Sequence, residues 1–252
     1  MKQAAPFSVI YEDDYIIAVN KSSGIAVSPD RWDDSKDRLD KLVGSSLGDR
    51  RIFTVHRIDR DTSGVVVFAK DEATHRFLSQ AFEGRQVQKR YTALVHGRPV
   101  WKETDCDLAL VPNGNKLHHT TIDKYHGKKS LTRFRFILSA GNYSVIDAMP
   151  ETGRTHQIRV HLASLGHPVV CDPLYGTVKP ILLSSFKRNW RGDPFEEKPL
   201  LDRLGLHAAE LTIPSPVTTE TLTLEAPVQR DMAAMIKQLE KIAGKRVEGQ
   251  GQ

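Results

Sequence analysis

The 252 residues suffice for one large domain or two small lobes, and a 39% hydrophobic share is ordinary for a globular chain with a sizeable core. Lys and Arg number 36 against 31 acidic residues, a net charge of +5 that suits a polyanionic partner without requiring one. Two cysteines, Cys106 and Cys171, exclude a disulfide framework, no apolar run approaches membrane-spanning length, and Met1 to Pro6 lacks the apolar stretch of a signal peptide, so a protein of the reducing cytoplasm is expected.

Phe7 to Tyr11 and Tyr15 to Val19 are short aromatic and β-branched runs joined by Glu12-Asp13-Asp14, which predicts a hairpin. Leu39, Leu42, Val43 and Leu47 recur at helical spacing, with Gly48 as the stop. A dense polar run, Val55-His56-Arg57-Ile58-Asp59-Arg60-Asp61-Thr62-Ser63-Gly64, then ends abruptly at the strand Val65 to Ala69. Asp71 is placed to cap a helix with Ala73, Phe77, Leu78 and Ala81 inward and Gly84 at its end. Gln88 to Gly97 begins basic and continues as a strand, so Tyr91 stands where the cationic edge meets the sheet.

From Pro99 to Lys129, Pro, Gly, Asn and histidines predict short strands and a basic surface excursion carrying His118 and His119. Residues 131–138 and 143–149 alternate as paired strands. Thr155 to Leu165 has helical spacing, with Ile158, Leu162 and Leu165 on one face and His156, Arg159 and Ala163 on another. A turn at Cys171 to Gly176 leads into a loop-rich stretch with Lys187, Arg188 and Arg191. Strands at 204–213 and 221–224 precede a closing helix lined by Met232, Met235, Ile236, Leu239 and Ile242, and 244–252 is expected to fray. No repeat, low-complexity block or linker separates independent domains, so a single domain over 1–243 is expected.

A carboxylate entering a low-dielectric region stays ionised only where cations or donors meet it, and the run around Asp59 supplies both. Asp59 is therefore the candidate reactive group, against the plainer reading of a solvated loop before a core strand. Gly64 lets the backbone swing into the strand, while Thr62 and Ser63 are expected to bond local backbone groups and stiffen the turn.

Taken together, HRIDRDTSG at 56–64, KRYTALVHG at 89–97, GRTHQIRVHLASLGHPVVCDPLYG at 153–176 and LHAAELTI at 206–213 resemble, in order, the motifs of the RluA family of RNA pseudouridine synthases. That resemblance implies an α+β fold with a mixed, largely antiparallel central sheet flanked by helices, and an RNA cleft between two lobes. It implies that Asp59 is the catalytic aspartate, Tyr91 the active-site tyrosine and Arg159 the basic partner of the aspartate. Substrate contacts are assigned to Arg57, His56, Arg154, Thr155 and His156, and Arg57 is also placed to brace the space left by an extruded uridine. Asp61 falls at a free position of the signature. Two departures are Asn20-Lys21-Ser22-Ser23-Gly24, where the family commonly has Pro in the middle, and Ile58 for the usual leucine. Tyr11 follows so closely on the start that no S4-type N-terminal domain is expected.

Isomerising uridine breaks the N1 to C1′ bond, turns the base and rejoins it through C5, without net redox change, so no cofactor and no metal are expected. The aspartate can attack C1′ or remove a proton from C2′, and both remain open. Tyr91 offers an aromatic face and a hydroxyl, with structural packing as the plainer alternative. The implied substrate is rRNA or tRNA, with no membrane association, no obligatory protein partner and a monomeric state. Among rivals, a metal-dependent hydrolase would draw on His56, His156, His161, His167, Cys171 and Asp172. His156 and His161 lie five apart, however, where paired helical ligands are usually four apart. A glycosidase-like pair, Asp59 with Asp61, and a non-catalytic RNA-binding protein complete the alternatives.

Overall fold

A computed structural model describes residues 5–29, 38–115, 119–187 and 189–248, the side chains of 245–248 excepted. His118, Arg188 and the tail beyond Glu248 lie outside the described residues. In chain order the elements are β1 (Phe7–Glu12), β2 (Ile16–Lys21), α1 (Leu39–Ser46), β3 (Phe53–Thr54), β4 (Ser63–Ala69), α2 (Glu72–Glu83), β5 (Gln88–His96) and β6 (Glu103–Cys106). They continue with β7 (Leu110–Val111), β8 (Thr121–Ile122), β9 (Thr132–Ala140), β10 (Tyr143–Pro150), α3 (Gln157–Ser164), a single 3-10 turn (Leu183–Ser185), β11 (Leu206–Pro214), β12 (Thr221–Glu225) and α4 (Arg230–Glu248). All of these strands but β7 and β8, which pair with each other, make a mixed, largely antiparallel sheet accompanied by helices, the fold class expected above. The chain divides into two compact units, one of residues 1–91 with 207–227 and one of 92–206 with 228–252.

In the first unit β1, β2, β4 and β11 lie side by side, β12 beyond β11 and β3 against β4. β4 meets β2 antiparallel and β11 parallel. Every residue of β4 is buried, which explains its unbroken apolar run: a strand covered on both faces needs no polar alternation. Val65 and Val67 pack with Leu78 and Ala81 of α2, whereas Val66 and Phe68 pack with Leu39 and Val43 of α1. Burial of each such side chain stabilises by about 1.5–3 kcal/mol. Asp71 caps α2 as expected, its carboxylate accepting the Thr74 N–H at 2.8 Å, and Gly84 ends it.

In the second unit β9 and β10 form a hairpin whose turn, Gly141-Asn142, follows the pair Ala140 and Tyr143. β6 lies against β9, and Arg133 and Arg135 of β9 face outward while Thr132 and Phe134 are buried. α4 seals the other side, Met232, Met235 and Leu239 packing with Leu94, Val145 and Val170. Arg203 holds the start of α4 through a bidentate pair with Asp231, both contacts at 2.6 Å. The helix continues through Gly244 to Glu248, beyond the end expected from the sequence. A Gly inside a helix costs only about 1 kcal/mol relative to Ala, too little to stop a helix already anchored by packing.

α3 departs more from expectation. The spacing predicts an amphipathic helix from Thr155, but α3 starts at Gln157 and buries both faces, with Gln157, Ile158, Arg159, Val160, His161 and Leu162 all enclosed. Its polar side is paired rather than solvated. The Gln157 amide donates to the Leu131 carbonyl and to Thr132 Oγ1 and accepts from Thr152 Oγ1. His161 Nε2 lies 3.0 Å from the Leu108 carbonyl, and Nδ1 lies 3.0 Å from Thr132 Oγ1. The carbonyl can only accept, so Nε2 carries the proton and Thr132 donates to Nδ1.

Candidate active site

The loop bearing Asp59 is pinned by its main chain. Its Asp59 carbonyl accepts the Thr62 N–H at 3.1 Å, and its Arg60 carbonyl accepts both the Gly24 N–H at 2.9 Å and the Lys21 ammonium at 2.7 Å. The Asp61 carbonyl accepts the Ser23 hydroxyl at 2.7 Å, and the Arg60 side chain returns a bond to the Gly24 carbonyl at 3.0 Å. Lys21, 0% exposed, also donates to the carbonyls of Ser22 at 2.9 Å and Ile25 at 2.8 Å. A buried ammonium is tolerable only when acceptors replace its lost hydration, and this one receives them from both loops it ties together. The turn at 20–24 thus fixes the Asp59 loop without the proline.

The far end of the loop is held by β11. Gly64 has φ 117, and a Cβ there would stand 2.1 Å from the Ala208 carbonyl oxygen, so only glycine allows the approach. Ser63 Oγ bonds His207 Nδ1 at 2.9 Å, and His207 Nε2 reaches the Ala226 carbonyl at 3.1 Å. His207 therefore donates through Nε2 and accepts from Ser63, which makes the buried pair a strut rather than a nucleophile and its base. The expectation of a local Thr62 side-chain bond is corrected here: its hydroxyl has no hydrogen-bond partner among the described residues, while that of Ser63 reaches across to β11.

Tyr91 packs against the cluster containing Val19, Ile58 and Phe68. Burial raises its pKa, and the Asp59 charge raises it further, so the hydroxyl stays protonated near the carboxylate. His56 is committed to the protein: its Nε2 accepts the Val67 N–H at 3.1 Å, and its ring stacks on Phe82 with centroids 4.7 Å apart. Burial, with the Lys89 ammonium adding to it, pushes its pKa down to about 3. Arg57 is exposed.

In the second unit Arg159 is 3% exposed and Asp172 0%. The guanidinium grips the carboxylate in a fork, Nε to Oδ2 at 2.8 Å and Nη2 to Oδ1 at 2.7 Å. Burial alone would raise the Asp172 pKa, but the Arg159 fork and the Leu174 and Tyr175 amides hold it below its ordinary value. The Arg159 guanidinium also lies over the Tyr175 ring, 5.2 Å from its centroid. The Tyr175 hydroxyl lies 2.9 Å from His156 Nδ1 and accepts the Thr120 N–H at 2.9 Å. His156 caps α3 in the left-handed region, φ 55, a conformation costly for a residue with a Cβ. Arg154 donates from Nε to the Lys129 carbonyl at 3.2 Å, and Thr155 is exposed.

Sequence reasoning gave Lys21 and Tyr175 no role and placed Asp172 only in a turn and among the ligands of the rival metal reading. A lysine closing a strand that opens with four apolar residues, and an Asp-Pro turn with an aromatic two residues on, were the available signals. His161 and Asp172 spend the atoms a metal would need on protein partners, and no group of three or more metal-ligating side chains stands together among the described residues. Nor is any described helix long and apolar enough to cross a membrane.

Residues 15–164 match a sequence family described as RNA pseudouridylate synthase. The chain is 32% identical over 248 residues to ribosomal large subunit pseudouridine synthase D of Zymomonas mobilis subsp. mobilis, covering 94% of this chain and 74% of that protein. It is 34% identical over 241 residues to tRNA pseudouridine synthase C of Pectobacterium carotovorum subsp. carotovorum, covering 90% of this chain and 60% of that one. Among solved structures it is similar to human RNA pseudouridylate synthase domain containing 1, with a TM-score of 0.69 and 27% identity over 90% of this chain and 86% of the human one.

Proposed function

The chain belongs to the RNA pseudouridine synthase family, in its RluA branch, and from that premise we propose how its residues divide the work on uridines of ribosomal or transfer RNA. Asp59 acts on the ribose, either attacking C1′ or taking a proton from C2′, while the N1 to C1′ bond breaks. The uracil turns, C5 bonds to C1′, and the C5 proton is finally replaced by one on N1, so atoms balance without an oxidant. Tyr91 supplies a face for the detached base. Its raised pKa keeps the hydroxyl protonated at rest, so Tyr91 takes the C5 proton only as its own phenolic proton passes to another acceptor, with no standing phenolate. Arg159 serves as the basic partner of Asp59, favouring the carboxylate once RNA excludes water.

The observation that carries this reading is that Asp59 sits on a loop tied at three consecutive carbonyls and that its charge adds to the burial that raises the pKa of the half-buried Tyr91, which packs beside Ile58 of the same loop. Arg57, Arg154 and Thr155 contact the RNA, while His56 and His156 act through the elements they hold. Arg57 braces the space vacated by the uridine, whose extrusion costs roughly a few kcal/mol. The enzyme works as a monomer in the cytoplasm and needs neither metal nor cofactor.

Incubating ribosomal and transfer RNA with wild-type protein and mapping pseudouridines should reveal new sites that Asp59→Asn does not make, although Asp59→Asn still binds the same RNA. Wild-type protein that leaves every uridine unchanged, or an Asp59→Asn variant that still isomerises, overturns the assignment. Excess chelator should leave turnover unaltered, and loss of turnover would revive the metal-dependent reading.

A further inference from the structure

We propose that Asp172 is the positioning residue of Arg159, orienting its guanidinium for the isomerisation; this rests on the reading that Arg159 serves the reaction. An arginine side chain has many rotamers, and a guanidinium used at a reacting centre must have that freedom removed beforehand. Here two groups do the removal. The Asp172 carboxylate takes one edge of the guanidinium, Nε at 2.8 Å and Nη2 at 2.7 Å. The guanidinium carbon also lies over the Tyr175 ring, 5.2 Å from its centroid.

The clamp is itself anchored. Asp172 Oδ1 accepts the Leu174 N–H at 2.9 Å and the Tyr175 N–H at 3.2 Å, so the residue that grips the edge of Arg159 also sets the backbone that carries the ring on its face. His156 Nδ1 and the Thr120 amide then fix the Tyr175 hydroxyl. A carboxylate that merely neutralised a buried arginine would not need to organise the neighbouring aromatic as well.

The test is the single-turnover rate constant for pseudouridine formation, which does not depend on how much of the enzyme is folded, with the amplitude read separately. Asp172→Asn should lower the rate constant by about 10²-fold, the scale of a misplacement of about 1 Å, while RNA affinity stays within about threefold. Added to Arg159→Gln, it should change the rate constant by less than about twofold, because a group acting through Arg159 has nothing left to orient. Should Asp172→Asn fail to fold, Asp172→Glu keeps the charge but displaces the fork and should slow the step at least about tenfold. A wild-type rate constant in the variant that folds, a loss confined to amplitude, or a full further loss in the Arg159→Gln background overturns the proposal. Wild-type protein inactive on every RNA would instead overturn the functional reading beneath it.

Discussion

Lys21 shows how one side chain holds a reactive loop in place. Lys21→Met keeps most of the apolar stem and removes the donor to the Ser22, Ile25 and Arg60 carbonyls, of which the last keeps the Gly24 N–H. We expect a loss of about 2–3 kcal/mol in a urea melt and slower turnover, since the Asp59 loop shares those bonds. An unchanged melt would show the ammonium to be dispensable. His56 gives a test by pH. Its pKa falls from 6.5 to about 3, so the folded state prefers the neutral ring; the stability this contributes is complete above 6.5 and is lost as pH falls towards 3. Its ring resonances should therefore not titrate between about pH 8 and 5, and a midpoint near 6.5 would contradict the enclosed geometry.

β4 and β11 approach each other at Gly64 with no room for a side chain. Gly64→Ala places a methyl 2.1 Å from the Ala208 carbonyl oxygen and strains φ 117, so we expect at least about 3 kcal/mol of destabilisation, or no folded protein. A normal melting temperature would refute the register of His207 opposite Ser63. α3 depends on polar rather than apolar docking. Thr132→Val removes the hydroxyl shared by Gln157 and His161 and should cost about 1–3 kcal/mol, seen as a lower denaturation midpoint.

Across the whole chain, 36 basic residues against 31 acidic ones leave a modest positive excess, so RNA affinity should come from local phosphate contacts rather than a large net field. With about three phosphates neutralised, affinity should fall roughly 20- to 40-fold between 50 and 200 mM salt. A filter-binding series measures this slope, and Asp59→Asn should share it. Arg57→Ala should impair turnover more on structured RNA than on a single-stranded oligonucleotide, because only the former must surrender a stacked uridine. Equal impairment on both counts against the bracing role.

Local patterns carried most of the elements. Unbroken Val65 to Ala69, the Asp71 cap, the paired strands at 131–149 and the closing Met and Leu spacing depend on neighbours within a few residues, so their elements lie where periodicity puts them. The sequence by itself also determined the family, through four ordered motifs, and with it the candidates Asp59, Tyr91 and Arg159. Only the tertiary structure decided what those motifs hold. That Lys21 braces the Asp59 loop, that Ser63 answers His207 across 144 residues, that α3 is polar yet buried, and that Arg159 is gripped by Asp172 are all pairings between distant segments. Hydrogen bonds and burial join residues by position in space, and a linear pattern of residue types records a group's chemistry without recording its partner.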